Sequence, residues 1–200
     1  MGTSSETKDE LLLIAEQHIL DLSNPDDQQP WVALQLFCMN QRLIAEELKD
    51  RNFETFVPLE WVVTEKKPGQ RVRVLRPVVR NLLFLKAKMP DDLLRKEMSD
   101  IKFPVRLLRK SKDSNELAKI PACQMYDFQV MCNPELVGRK IISTEEAKLK
   151  KGQPVIVTHG PLKGLKGRLV RASKKYYLLK EIPGISVMLN VSRWCCQPIE

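Results

Sequence analysis

Residues 158–170 read THGPLKGLKGRLV. Gly160, Gly164 and Gly167 stand between two apolar runs, and their role decides the fold of the last quarter of the chain. A phosphate-binding loop of the G-x-x-x-x-G-K-[ST] type needs a wider first gap, a Ser or Thr after its lysine, and a helix behind it. Here Gly160 and Gly164 are too close, no Ser or Thr follows a Gly-Lys pair, and the chain leaves through RLVRA, a strand. GLKG at 164–167 also has the G-x-x-G spacing of a loop that clamps nucleic-acid backbone, but such a loop joins two helices. The flanks here are QPVIV and RLVRA. What remains is conformational: Gly160-Pro161 turns the chain, and Gly164 and Gly167 bend it or supply positive φ before the next strand.

The surroundings agree. QPVIVTH, GRLVRA, KYYLLKE and ISVMLNV give four strand-like runs in residues 152–200, the density expected of a small β-barrel. Pro161, Pro183 and the glycines disfavour long helices there, so the barrel is expected to be permanent. Upstream, WVALQLF from Trp31 reads as a strand, and Asn40 is placed to cap a helix over QRLIAEELKDRN. Within that helix Glu47 and Arg51 form a favourable i,i+4 pair. TFVPLEWVVTE reads as a strand with an edge or bulge at Pro58. KKPGQ is a turn, and RVRVLRPVVRNLLFLKA returns as one long strand. PDDLLRKEMSD starts with Pro and two acids, as helices do. PVRLLRK is a further strand, and Pro121 opens a helix-like run through Met125, Phe128, Gln129 and Cys132. Strand, helix, strand, turn, strand makes a small α/β layer. NPELVGRKIISTEEAKLKK reads as a connector with some helical content. At the N-terminus, Thr7 and Glu10 have capping-box spacing ahead of a short amphipathic helix ending near Leu22. The expected organisation is an acidic helix and linker over 1–29, an α/β sandwich over 30–133, a connector over 134–150 and a barrel over 151–200, α+β overall.

With 43% apolar residues in a chain of 200, a real core is possible. No run approaches the ~18 apolar residues needed to span a bilayer. The start is acidic and polar before Leu11, unlike a secretory signal, which makes the cytoplasm the expected location. Five cysteines without a C-x-x-C pair argue against a disulfide framework or zinc site. The two histidines, His18 and His159, are far apart, there is no G-x-S-x-G, and no carboxylates have metal-ligand spacing. A catalyst is therefore not expected, and neither is a cofactor or a metal. The net charge of +8 is uneven: residues 1–29 carry seven acids and one lysine, whereas residues 151–200 carry nine bases and two acids. That distribution suits a polyanionic neighbour, although ordinary solubilising charge gives the same count.

GQPVIVTHGPLKGLKGRLVRA, residues 152–172, resembles the KOW motif of NusG-type transcription factors and some ribosomal proteins. Gly152, Val155, Val157, Gly160, Pro161, Leu162, Gly164, Leu165 and Gly167 fall in the pattern. The first domain resembles the NusG N-terminal domain: Trp31 opens the first strand, the helix at 41–52 follows, FVP stands at 56–58, and IPACQMYDFQVM occupies the place of the closing helix. The resemblance covers roughly residues 30–200. Where the family has an aromatic after the opening Trp this chain has Val32, and Pro-Gly-Tyr becomes Arg80-Asn81-Leu82, the mark of a specialised paralogue. The barrel loop that in NusG carries a bulky residue, Gly and Arg reads Pro183-Gly184-Ile185.

The resemblance implies a monomeric elongation or antitermination factor, of the kind dedicated to long operons such as those for capsular polysaccharide. It would dock on RNA polymerase through Trp31, Val32, Val78, Val79, Arg80 and Leu82. The hairpin with Lys66, Lys67, Arg71, Arg73 and Arg76 would lie near upstream DNA or nascent RNA, and Val72 and Val74 alternate with two of those arginines as a ribbon with one basic face requires. A solvated edge strand would look the same. The barrel, through Leu162, Lys163, Leu165, Lys166 and Arg168, would meet RNA, a ribosomal protein or another protein. Of Tyr176 and Tyr177, one is expected to pack inward while the other can stack, and Trp194 reads as barrel core or lid. The competing reading is a KOW-type ribosome- or RNA-binding protein with no polymerase partner.

Overall fold

The computed structural model describes residue 22 and residues 24–199, apart from residues 39 and 68. The helix expected before Leu22 lies outside the described residues. The first sheet holds β1 (Trp31–Leu36), β2 (Thr55–Phe56), β5 (Leu82–Lys86), β6 (Val105–Leu107) and β7 (Lys119–Ile120). Its order is β2-β5-β1-β6, with β7 also paired to β1, and every pairing is antiparallel. β1 and β5 are apolar along almost their whole length because both faces are covered. Val32, Leu34, Leu36, Leu83 and Leu85 point into one cluster. There they meet Ile44 and Leu48 of α1 (Gln41–Asp50) and Leu94 and Met98 of α2 (Asp91–Ser99). Trp31, Ala33, Leu82 and Phe84 point the other way, into a cluster with Phe128 of α3 (Ala122–Met131). Phe128 packs edge-on against Phe84 and Phe56, with ring centroids 5.5 and 6.1 Å apart.

TFVPLEWVVTE is split at Val57-Pro58 into β2 and β3 (Leu59–Lys67), as a proline without an N–H requires. RVRVLRPVVRNLLFLKA is not one strand. β4 (Gln70–Pro77) pairs only with β3 in a separate ribbon, and residues 78–81 turn the chain into β5 of the main sheet. A continuous apolar run hides such a change of partner, because both halves are strands. Asn40 makes no side-chain cap on α1, contrary to expectation, whereas the Glu47–Arg51 pair forms at 3.2 Å.

The second sheet is antiparallel, in the order β13-β9-β10-β11-β12-β8. Four of its strands are the expected ones: β9 (Gly152–Val157), β10 (Lys166–Ala172), β11 (Lys175–Ile182) and β12 (Ile185–Asn190). β8 (Arg139–Ile142) and β13 (Cys196–Pro198) extend it at either end. Between β8 and β9 stands the short helix α4 (Thr144–Leu149), capped by the Ser143 hydroxyl, which accepts from the Glu146 N–H at 3.1 Å. The glycines do what their conformations demand. Gly160 and Gly164 have φ of 83° and 94°, and the Gly164 N–H closes the turn on the Val157 carbonyl at 2.8 Å. Gly167 instead allows close packing, since a Cβ there would lie 2.8 Å from the Leu179 carbonyl oxygen.

α3 lies between the two sheets, with Phe128 on the first and contacts to β11 and β12 of the second, and leaves Cys123 and Gln124 exposed near its start. At its flank Asp127 takes an ion pair at 2.7 Å from Lys180 of β11, with both side chains almost entirely buried. The β11–β12 turn reaches the first sheet: a Cβ on Gly184 would meet Leu82 at 3.0 Å and Leu108 at 3.2 Å.

Candidate functional site

The residues that lead into the first sheet as a turn, 78–81, are fixed by the side chain of Gln41, which apolar periodicity alone does not single out. Gln41, the first residue of α1, is 4% exposed. Its amide donates to the carbonyls of Val79, at 3.3 Å, and Leu82. The Val78 N–H donates to Pro58 O at 2.9 Å, and the Leu36 N–H to Asn81 O at 2.9 Å. The turn is thus tied to β1, to α1 and to the start of β3. A signal for Gln41 exists: it continues the Ile44 and Leu48 stripe of α1, so a polar side chain stands where the helix faces the core.

Beside this turn is a cavity of about 440 Å³ lined by Asn40, Gln41, Arg42, Leu43, Arg76, Pro77 and Arg80. Its charged lining is entirely cationic. Arg42 sits in the first turn of α1, which has no acidic residue there, so a guanidinium adds to the positive end of the helix dipole. The Gln41 Oε1 is buried without a hydrogen-bond partner among the described residues. Three guanidiniums, uncapped helix N–H groups and an unsatisfied acceptor can together hold a phosphate flanked by a hydrogen-bond donor.

The six residues of the expected polymerase surface do not share one face. Trp31 and Val32 are 2% and 0% exposed and point into opposite clusters of the first sheet. Leu82 is buried under Gly184, and Val79 is half-buried against the same cluster. Val78 is half-buried, and Arg80 is exposed at the cavity rim.

The basic hairpin is divided as well. β3 and β4 pair so that Glu65, Val63 and Trp61 lie opposite Arg71, Arg73 and Leu75 on one face, while Glu60 lies opposite Arg76 on the other. Arg71, Arg73 and Lys67 are exposed, and Lys66 is placed by its backbone alone. Arg73 lies over the Trp61 ring at 4.9 Å, and the Trp61 Nε1–H donates to Glu135 at 2.5 Å. Val63 beside them is exposed. This face combines cations with aromatic and aliphatic surface, and Arg76 belongs to the cavity instead.

In the second sheet Leu165 is buried, and Leu162 packs partly against the large cluster. Arg168 is engaged, donating to Glu181 at 2.7 Å and to the Ala147 carbonyl at 2.9 Å. Lys163 and Lys166 are exposed. Trp194, expected in a core or lid, is 74% exposed. Of the five cysteines Cys132 is the buried one, and complete burial pushes its thiol up to about 12, so that it stays protonated. Among the described residues no group of three or more His, Cys, Asp or Glu could hold a metal ion. No helix among them is long and apolar enough to cross a membrane.

Set against known families, residues 29–129 match the family model described as NusG, transcription termination factor nusG. A comparison with curated proteins finds no match to the chain.

Proposed function

This chain belongs to the NusG family, and from that premise we propose that it is a transcription elongation and antitermination factor that binds RNA polymerase through its first sheet and suppresses pausing or termination. Family membership carries a general role in transcription and nucleic-acid binding, and a protein that works by binding rather than by catalysis. The finer reading rests on the corner at residues 78–80. A half-buried apolar turn, Val78-Val79, ends in the exposed Arg80 and adjoins a cavity whose charges are all positive. In our reading the apolar turn and Arg80 dock on protein while Arg42 and Arg76 face the phosphates of nucleic acid held in the same cleft. Arg71 and Arg73 on the hairpin extend that contact along upstream DNA. Docking through Val78 and Arg80 needs no rearrangement. Docking through Leu82 needs the turn at Gly184 to move aside.

We further assign the six-stranded sheet to a KOW-type SH3-like barrel. It would recruit a second partner through the exposed Lys163 and Lys166 of the glycine turn and its following strand. The departures at Val32 and at Arg80-Asn81-Leu82 support a specialised, operon-dedicated paralogue, such as those of capsular polysaccharide operons.

The test is co-migration of the purified chain with core RNA polymerase, comparing wild type with Val78→Asp and Arg80→Glu. Binding by the wild type and its loss in both variants, each with an unchanged melting temperature, supports the docking corner. Binding that survives both variants removes residues 78–80 from the interface, and no binding by the wild type removes the polymerase reading.

A further inference from the structure

The second sheet carries an exposed aromatic group that nothing in the docking scheme uses. Trp194 stands in the one-turn 3-10 helix Arg193–Cys195 with 74% of its surface open to solvent. A single exposed apolar side chain is ordinary on a protein surface; what sets this one apart is its surroundings. Its backbone is firmly held. The Thr158 N–H donates to the Cys195 carbonyl at 2.7 Å, the Thr158 hydroxyl donates to the same oxygen at 3.0 Å, and the Cys195 N–H donates to Ser192 O at 3.0 Å. The neighbouring His159 ring lies 5.8 Å from the indole at an interplanar angle of 45°, with its Nδ1 2.8 Å from the Thr158 hydroxyl. One threonine therefore braces both rings.

Arg193 continues the surface. Its guanidinium lies 5.9 Å from the Tyr176 ring centroid, and the Arg171 guanidinium lies 5.7 Å from it. Both arginines are exposed. The acid among residues 152–199, Glu181, is already paired with Arg168 at 2.7 Å. Arg171 and Arg193 consequently have no carboxylate partner among the described residues. An apolar protein segment would match the indole but leave these cations uncompensated, and an acidic peptide would match the cations but not the rings. A nucleic-acid strand with unstacked bases matches both.

We propose that Trp194 and His159 form a stacking platform for single-stranded RNA, with Arg171 and Arg193 compensating its phosphates. The choice of RNA over DNA rests on the transcriptional reading, in which the transcript is the strand that emerges single-stranded; the platform itself does not rest on it. Recognition is by ring faces and charge, so it is tolerant of sequence and sensitive to salt.

The experiment uses the full chain without polymerase and fluorescence anisotropy of a labelled oligouridylate of about 12 nucleotides. Wild type binds, Trp194→Ala weakens binding about tenfold or more, and Trp194→Phe, which keeps a ring face, restores most of the loss. Since Trp194 is exposed, both variants should keep the wild-type melting temperature and co-migrate with polymerase as the wild type does, which separates this site from the docking corner. Arg171→Gln with Arg193→Gln lowers the slope of log affinity against log salt by about 1.4, at ~0.7 per phosphate contact on a single strand. Unchanged RNA affinity in Trp194→Ala overturns the platform. In a complex of the full chain with core polymerase and a nucleic-acid scaffold, a photo-crosslinking amino acid at position 194 should link to the transcript. Links to DNA with none to the transcript overturn the assignment to RNA.

Discussion

The two sheets gather positive charge in different surroundings. Around the first sheet, some cations are tied to acids: Lys86 to Asp27 and Glu54, Arg51 to Glu47 and Glu97, Lys119 to Asp91. Arg42, Arg76 and Arg80 are instead gathered at one cavity whose lining holds no acid, and it is this gathering that is informative. In the second sheet acids are so scarce that unpaired cations are the rule. There a free lysine says little, and the placement of Trp194 and Tyr176 says more. In both places a lone unpaired charge says little, and evidence of a binding surface comes from what the charge is gathered with.

The comparison breaks most sharply where the two sheets meet. Asp127→Ala leaves the Lys180 ammonium buried with the Lys166 carbonyl at 3.2 Å as its remaining hydrogen-bond partner. Chemical denaturation should report a loss of about 3 kcal/mol. A loss within error of zero would mean that the sheets separate easily in solution. Next in size is Gly167→Ala. The added methyl runs into the Leu179 carbonyl and the Leu178 side chain, and overpacking of this kind costs about 2 kcal/mol. Gly160→Ala, where nothing lies within 4 Å, pays only for its left-handed φ, about 1 kcal/mol. If the two substitutions were equal, the distinction between a packing glycine and a turning glycine would fail.

The ion-pair cluster of the first sheet makes a smaller, pH-dependent prediction. Burial works against the charge on Lys86, but hydrogen bonds from it to Asp27 and Glu54 outweigh that and raise its pKa. Asp27 is held below its ordinary value chiefly by its hydrogen bond with Lys86. Burial opposes ionisation of Glu54, and its bonds to Lys88 and Lys86 reverse the balance, lowering its pKa. A depressed carboxylate stabilises the fold above its unfolded pKa, and the contribution is lost as pH falls through the folded value. For Lys86 the sign is opposite: its contribution is complete below 10.5 and is lost as pH rises through a higher folded value. Glu54→Gln should therefore destabilise by about 1 kcal/mol at pH 7, discounted for its half-exposed side chain, and the difference should vanish as pH falls through the lowered folded value. A difference that persists in acid would show that packing, not charge, distinguishes the variant. Smallest of all, Arg71→Gln with Arg73→Gln should lower the salt slope of duplex-DNA binding by about 1.8, at ~0.9 per contact, and leave stability unchanged. A slope that does not move would reduce this face of the hairpin to solubilising charge.

Much of the fold was legible because it repeats local rules. WVALQLF, the helix at 41–50, the Pro-led α3 and the four strands after residue 152 follow from periodicity and punctuation. What local rules missed depends on partners distant in sequence. RVRVLRPVVRNLLFLKA reads as one strand, since nothing within it says that its halves pair with different sheets. RKII at 139–142 sits in a stretch read as connector and becomes β8 only by lying against β12. The candidate sites were partly legible for the same reason. Alternation along β4 correctly separates Arg71 and Arg73 from Val72 and Val74. It cannot send Arg76 into a cavity with Arg42 and Arg80, because that cavity is made by α1 and the turn together. Trp194 was misjudged because an indole is usually worth burying, and its exposure is set by the Thr158 and Cys195 hydrogen bonds that hold its turn at the sheet's edge.

The central claim is that the corner at 78–80 faces RNA polymerase. A photo-crosslinking amino acid placed at Arg80, and in a parallel protein at Lys163, should be carried into a complex assembled from core polymerase and a nucleic-acid scaffold. The account predicts that position 80 links to the polymerase and that position 163 does not. Crosslinks from position 163 with none from position 80 would contradict it.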